Sequence, residues 1–262
     1  LDAGDWVEVG GKVVKTQRGV RTLLVTEWHF LTKSIRPLPD TWFGLKDHET
    51  RFRQREVDFW LNSEVREKFV MRSKILNWLR DYLTGQGYLE VETPVLQTIA
   101  GGAAARPFVT HHNALDIDLF LRIAPELYLK RLLVGGYEKV FEIARNFRNE
   151  GIDRQHNPEF TMLELYGAYA DYEDLMDFTE ELFEKLMREL FDTTAVPWQG
   201  HMLDFERPLK RVRYVDLVSE KLGVNILTEK KLAVFENIFK EKGLPLPEQR
   251  TYSKLVDELY KE

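Results

Sequence analysis

The 262-residue chain has no cysteine. Disulfide staples, thiolate metal sites and cysteine nucleophiles are therefore excluded, and a reduced, cytoplasmic setting is the expectation. No window approaches 18 consecutive apolar residues, so no transmembrane helix is expected. The opening Leu1-Asp2-Ala3-Gly4-Asp5 has neither a basic start nor an apolar centre, so no signal peptide is visible. Position 1 is not methionine, and no Gly, Pro or cap closes the helical stretch Ser253 to Glu262. A chain cut at both ends is the expectation. Neither Gly-x-x-x-x-Gly-Lys nor Gly-x-Gly-x-x-Gly occurs, so the two common glycine-loop phosphate cradles are ruled out. Cationic excess is missing too. The net charge is −6, so RNA contact is expected only from local patches or from segments outside this sequence.

What is present is apolar and aromatic mass. With 44% hydrophobic residues, including 16 Phe, 10 Tyr and 6 Trp, one full core and a small second unit are within reach. Trp6 to Thr16 and Thr22 to Ser34 alternate as strands around a turn at Arg18-Gly19, which predicts a hairpin. Two strands alone are marginal in water, so they read as part of a larger barrel or sheet. Arg36-Pro37-Leu38-Pro39-Asp40 is stiff and reads as a linker. A long amphipathic helix is predicted from Ser63 to Thr84, with Val65, Phe69, Leu76, Leu79 and Leu83 on one face and Gly85 and Gly87 as its stop. Tyr88 to Glu92 reads as extended. A short helix follows over Pro125 to Val134, then strands over Glu138 to Phe147 and Glu159 to Ala170. A helix covers Asp171 to Phe191, with Leu175, Phe178, Leu182, Leu186 and Leu190 on one face. After a hairpin turn at Gln199-Gly200, helices are expected over Tyr214 to Lys221, Thr228 to Lys242 and Ser253 to Glu262.

The chemistry concentrates between Phe141 and Tyr172. On the second of those strands, Phe160, Met162, Glu164 and Tyr166 share a face. A carboxylate among aromatics and a methionine needs a cation or donors, since an unpaired buried charge costs several kcal/mol. Two readings stay open: an arginine of the neighbouring strand, which Glu164 alone favours, or a ligand ammonium. The loop Arg148 to Pro158 is long for a hairpin and carries the groups that neutralise phosphate or carboxylate, although its composition by itself fits a solvated turn. Glu126 falls in the first turn of a helix, where an acid is favoured by the helix dipole whatever its role. Gly101-Gly102-Ala103-Ala104-Ala105 lets backbone approach a ligand closely. His111 and His112 point to opposite faces of a strand and make poor co-ligands for one metal; His29, His48 and His201 read as structural or surface residues.

Phe147-Arg148-Asn149-Glu150 followed by His156-Asn157-Pro158-Glu159-Phe160-Thr161-Met162-Leu163-Glu164 resembles motif 2 of the class II aminoacyl-tRNA synthetases in its lysine-specific form. Gly87-Tyr88-Leu89-Glu90-Val91-Glu92-Thr93-Pro94 resembles motif 1. The stretches Gly101 to Phe108, Arg122 to Leu127 and Ser34 to Asp40 look like segments of the same lysyl-tRNA synthetase family. An ordered set of long matches is far more specific than one short motif. The resemblance implies an α+β fold, a mixed and largely antiparallel sheet with flanking helices, incomplete here. It implies that residues 1–40 are the last strands of an OB-fold anticodon-binding barrel and residues 41–262 a catalytic domain. For ATP it implies Arg148, Glu150, His156, Asn157 and Phe160. For lysine it implies Gly102, Glu126, Arg148, Glu164 and Tyr166, with Arg148 as the catalytic residue. ATP and Mg2+ are the implied cofactors, L-lysine and tRNA(Lys) the partners, and a homodimer through motif 1 around Pro94 the assembly, with no membrane association.

The family's motif 3, a Gly-rich strand and helix ending in Asp-Arg, does not occur, nor does the acidic segment before it that holds magnesium. No metal site is therefore expected in this stretch, and the chain alone is expected not to sustain aminoacylation. Rival readings are a class II relative that attaches lysine-like groups to a protein, a non-catalytic paralogue, and a synthetase domain fused to a lipid lysyltransferase. The opening strands and the Arg36-Pro37-Leu38-Pro39 junction count against the first, the absence of motif 3 is what the second would display, and only sequence upstream would reveal the third.

Overall fold

The computed structural model describes residues 1–36, 45, 47–153 and 156–261. The stiff Pro37-Leu38-Pro39-Asp40 stretch, and with it the domain boundary expected at residue 40, lie outside the described residues. The chain divides into two compact units, Leu1–Asp171 and Tyr172–Glu262.

The first unit opens with the expected hairpin, β1 (Trp6–Lys15) antiparallel to β2 (Arg21–Thr32). The register shifts between Gly10 and Gly11, and a Cβ on Gly11 would lie 2.2 Å from the Leu24 carbonyl oxygen. Only glycine permits that approach, which is why the bulge sits there. Two short helices, α1 (His48–Arg53) and α2 (Arg55–Leu61), follow, and hydrophobic periodicity did not announce them. Local polar chemistry makes them. Asp47 caps α1 by accepting from the Thr50 backbone N–H at 2.7 Å, and the buried Asp58 accepts from Arg51, Arg55 and Asn62.

Helix α3 (Ser63–Gly85) runs as predicted. Of its expected apolar face, Val65 and Leu83 are buried and Phe69 is half-exposed, packing edge-on against Phe59 at 5.0 Å. Gly87, at φ +81°, turns the chain into β3 (Leu89–Glu90). Then come β4 (Leu96–Gln97), β5 (Val109–His112), β6 (Ile117–Leu121), α4 (Glu126–Val134), β7 (Lys139–Phe147) and β8 (Glu159–Gly167). Strand β3 lies parallel to β7 and β7 antiparallel to β8, a mixed sheet; β4, β6 and β5 form an antiparallel one. Helix α4 packs on β7 and β8. The core below the site comprises Ile123, Ala124, Leu129, Val140, Phe141 and Ala144, all buried.

The second unit holds α5 (Tyr172–Phe191), the hairpin β9 (Ala195–Trp198) and β10 (His201–Asp204), α6 (Tyr214–Leu222), α7 (Leu232–Glu241) and α8 (Tyr252–Lys261). The hairpin turns on Gln199 and Gly200, both at positive φ, the pattern of a two-residue primed turn. On α5, Leu182 and Leu186 are buried and Leu175 is 40% exposed. Arg207 and Arg211 reach back to the acids of α5, Arg207 to Glu184 at 2.7 Å and Arg211 to Glu180 at 2.9 Å. Helices α6 to α8 close over Val218, Phe235, Phe239, Leu255 and Leu259. Helix α7 begins four residues later than periodicity predicts. Asn225 explains it: its side chain accepts from the Leu227 backbone N–H at 2.9 Å and holds residues 225–228 in a turn.

Leu129 is fully buried on the helix that presents Glu126, whereas Val134 at its end is 91% exposed. Leu129→Ala is expected to lower unfolding free energy by ~2–5 kcal/mol. Val134→Ala should leave it within ~0.5 kcal/mol. Urea denaturation followed by tryptophan fluorescence measures both, and equal effects would mean that α4 is not anchored as described.

Candidate active site

The register of β7 and β8 decides what faces the site. Val140 stands opposite Tyr166, Glu142 opposite Glu164, Ala144 opposite Met162 and Asn146 opposite Phe160. Cross-strand partners share a face, so Phe160, Met162, Glu164 and Tyr166 line one surface, as the alternation predicts. Arg148 extends that face one residue past Phe147. Its backbone N–H donates to the Pro158 carbonyl at 2.8 Å, and its guanidinium carbon lies 5.0 Å from the Phe160 ring centroid. The Nη2 atom points to the Ile123 carbonyl at 3.5 Å, and the buried Nε–H has no partner among the described residues.

Above this face, Arg148, Glu150, Gly151, His156, Asn157 and Phe160 line a cavity of about 190 Å³. All five residues expected to hold a nucleotide are among them. Asp153 shapes the loop: its carboxylate accepts from the His156 backbone N–H at 2.8 Å and lies 2.7 Å from His156 Nδ1. The neighbouring Arg154 and Gln155 lie outside the described residues.

The second cluster gathers around Glu164. The Tyr166 hydroxyl donates to Glu164 Oε2 at 3.1 Å. Glu126 is the first residue of α4, behind the buried Ala124 and Pro125. Gly102 lies against it: at φ +87°, a Cβ there would meet Glu126 Cβ at 3.0 Å and Ala124 Cβ at 3.2 Å. The structure thus brings Gly102 and Glu126 together, with Glu126 Oε2 at 3.5 Å from that same point. Lys130, one turn along α4, pairs with Glu126 at 2.5 Å, and its ammonium is 5.9 Å from the Tyr166 ring centroid. Exposed helix pairs of this type contribute ~0.3–0.5 kcal/mol, so the pair gives way readily to a competing ammonium. Pro94, in the turn between β3 and β4, is exposed and lines neither cluster.

Burial pushes the Glu164 carboxyl above the ordinary glutamate range; the Tyr166 hydrogen bond and Arg148 oppose that, while the charges of Glu126 and Glu142 add to it. Burial also raises the Tyr166 hydroxyl, and the charge of Glu164 pushes it further. Among the described residues the arginine pairing open to Glu164 from sequence is not found, for the residue opposite is another acid, Glu142. The buried guanidinium, Arg122, belongs to Glu142, with Nη1 to Oε1 at 2.6 Å. Sequence reasoning passed over Glu142 and Arg122. The same alternation that singled out Glu164 would have placed Glu142, Ala144 and Asn146 on one face of β7.

One end of the surface therefore offers a guanidinium stacked on a ring, suited to an anion and a planar base. The other offers carboxylates at Glu126 and Glu164, suited to ammonium groups. Among the described residues no cluster of three or more His, Cys, Asp or Glu side chains is arranged to hold a metal ion, and no helix is long and apolar enough to cross a membrane.

A family model for tRNA synthetases of class II (D, K and N) matches residues 47–260. The chain belongs to that family. A lysine–tRNA ligase of Carboxydothermus hydrogenoformans is 52% identical over 262 residues, which is all of this chain and 54% of that protein. The lysine–tRNA ligase of Clostridium botulinum is 52% identical over 244 residues, 93% of this chain and 48% of that protein. That of Pelotomaculum thermopropionicum is 51% identical over 267 residues, covering all of this chain and 52% of the relative. The chain spans about half the length of the curated relatives it matches. The mixed sheet with flanking helices agrees with this membership.

Tyr166 donates to the ionised form of Glu164, so its hydroxyl holds the carboxyl down against burial. In Tyr166→Phe the Glu164 carboxyl should titrate at higher pH than in the unmodified chain, itself above ordinary glutamate. Carboxyl 13C NMR of the ligand-free protein reads both midpoints; a lower midpoint in Tyr166→Phe would remove the hydroxyl from this role.

Proposed function

We propose that this chain carries the amino-acid-activating site of a lysine–tRNA ligase, which converts lysine and ATP to lysyl-adenylate and transfers the lysyl group to tRNA(Lys). The observation that carries the reading is Glu164: a half-buried carboxylate, bound to one hydroxyl and bridged by no cation among the described residues, on the same sheet face as the Arg148–Phe160 cavity. Membership of the family and about 52% identity to lysine–tRNA ligases support it.

In this reading the adenine stacks on Phe160 and meets Glu150 through its amino group, while His156 and Asn157 hold the phosphates and ribose. Glu126 and the Gly102 carbonyl receive the α-ammonium of lysine, and Glu164 and Tyr166 its ε-ammonium. The lysine carboxylate attacks the α-phosphorus in line, a carboxyl–phosphorus oxygen bond forms and pyrophosphate leaves. Arg148 neutralises the two approaching anions, and no protein nucleophile takes part. The terminal adenosine of the tRNA then takes the lysyl group and AMP departs. Class II synthetases use Mg2+, which would neutralise phosphate charge, and among the described residues no group of three or more His, Cys, Asp or Glu side chains is arranged to hold it. A site built to pair a buried charge rejects neutral analogues more strongly than an apolar slot does.

The same reading makes residues 1–40 the closing strands of an OB-fold barrel and residues 41–262 part of the catalytic domain. It assigns the turn at Pro94 to a homodimer interface and the protein to the cytoplasm. Because no motif 3 is present in the sequence, the 262-residue chain by itself should charge tRNA far more slowly than a chain of the relatives' full length.

Calorimetric titration with a non-reactive lysyl-adenylate analogue, with the alanyl analogue as control, tests the substrate. The expected outcome is lysyl-selective binding that weakens by ~2–4 kcal/mol in Glu164→Ala, the cost of leaving an ammonium without its buried partner. Equal binding of the two analogues would exclude lysine as the substrate.

A further inference from the structure

Glu142 is buried beneath the pocket and takes part in none of the steps above. Its Oε1 accepts from Arg122 at 2.6 Å and its Oε2 from the Thr93 hydroxyl at 2.6 Å. Arg122 is equally buried and held on two sides: Nη1 also donates to the Thr93 carbonyl at 3.0 Å, and Nε to the Arg145 carbonyl at 2.9 Å. Glu142 stands directly opposite Glu164. Side chains so placed have Cβ atoms ~5 Å apart, within the swing of a guanidinium that already touches one of them.

Arg122 is therefore held by Glu142, and Glu164, the acid opposite, makes no ion pair with it. A glutamate on this face left next to an uncommitted guanidinium would pair with it and be neutralised within the fold. Such a pocket would have no charge left for a ligand. The groups acting on Glu164 are Tyr166 on its own strand, Glu142 across the sheet, Glu126 on α4 and Arg148 beyond β7; Lys130 on α4 is paired with Glu126. Of the two buried or half-buried carboxylates on this face, Glu142 holds the guanidinium and a hydroxyl, and Glu164, among the described residues, holds a hydroxyl alone.

We propose that Glu142 is a specificity-determining positioning residue: by holding Arg122 on its own side chain it keeps Glu164 available to the side-chain ammonium of the ligand. The inference rests on the lysine reading for the identity of that ligand, but the division of partners between the two glutamates stands on geometry alone. Replacing Glu142 by glutamine removes the competitor and leaves Arg122 free to turn to Glu164. The pocket then neutralises itself. Removing Arg122 as well takes that alternative partner away and leaves no lone buried charge, the situation that makes single replacements in a buried pair costly.

The experiment compares the unmodified chain, Glu142→Gln and the double variant Arg122→Gln/Glu142→Gln. Binding of the lysyl-adenylate analogue should weaken by ~tenfold or more in Glu142→Gln, the fold-change equivalent to one charge-assisted contact. In the double variant it should recover to within ~threefold of the unmodified chain. The Glu164 carboxyl, followed by 13C NMR without ligand, should titrate at lower pH in Glu142→Gln, since a like charge has gone and a guanidinium has approached. In the double variant it should climb back from that value. A structural support would behave differently, because the double variant would bind no better than the single one and Glu164 would not move between them. That result overturns the proposal, as does an unchanged Glu164 midpoint in Glu142→Gln. If the single variant does not fold, the double variant decides through its own binding and midpoint, with binding near that of the unmodified chain in favour and loss of lysyl selectivity against. Should the unmodified chain show no lysyl preference, the substrate reading fails while the ligand-free titration still judges the role of Glu142.

Discussion

Everything in the candidate site depends on the antiparallel register of β7 and β8. A shift of one residue would turn Phe160, Glu164 and Tyr166 to the opposite face and bring the interior side chains of β7 out with them. The register is held from both sides. Val140, Phe141 and Ala144 are fully buried, and α4 packs on both strands. At the far end, the backbone of Arg148 continues the pairing to Pro158 before the loop departs. The loop can therefore be long and polar without loosening its first and last residues, and these are the ones that carry the guanidinium and the ring.

The buried pair of Arg122 and Glu142 is the second constraint. Desolvating two charges costs several kcal/mol per ion and is offset only where geometry and further hydrogen bonds are good. Here Thr93 and the Arg145 carbonyl supply those bonds. One guanidinium thereby ties the end of β6, the middle of β7 and the turn before Pro94. The backbone repeats the tie, with the Arg122 N–H donating to Val95 and the Phe147 N–H to Arg122. The segment from Arg122 to Pro125 is thus fixed before α4 begins, and Glu126 inherits a defined position from it.

Polarity is divided along the sheet face. Arg148 and Phe160 make one end fit for an anion and a flat ring; Glu126, Glu164 and Tyr166 make the other fit for ammonium groups. Burial, which works against charge on a carboxyl, is opposed at Glu164 by the Tyr166 hydrogen bond and by the charge of Arg148. The acids without Arg148 would attract cations without orienting them, and Arg148 without the acids would offer nothing to an ammonium group.

By itself, the sequence determined the elements with strong periodicity: the opening hairpin, α3, α4, the β7–β8 pair and α5. It also grouped residues that line the cavity, because Arg148 to Phe160 belong to one loop and its flanking strand ends, while their expected roles came from the family resemblance alone. It marked Glu164 as anomalous because alternation along a strand is a local property. It did not announce α1 and α2, which rest on side-chain capping and on Asp58 rather than on an apolar stripe, nor the late start of α7 behind the Asn225 turn. Only the tertiary structure decided who pairs with whom. Glu142 and Glu164 are 22 positions apart, and Arg122 and Glu142 are 20 apart; cross-strand register and burial bring them together. Gly102 and Glu126 meet for the same reason. A charge pattern along a chain tells which groups need partners, but the choice among several nearby partners belongs to the packing that sets their distances.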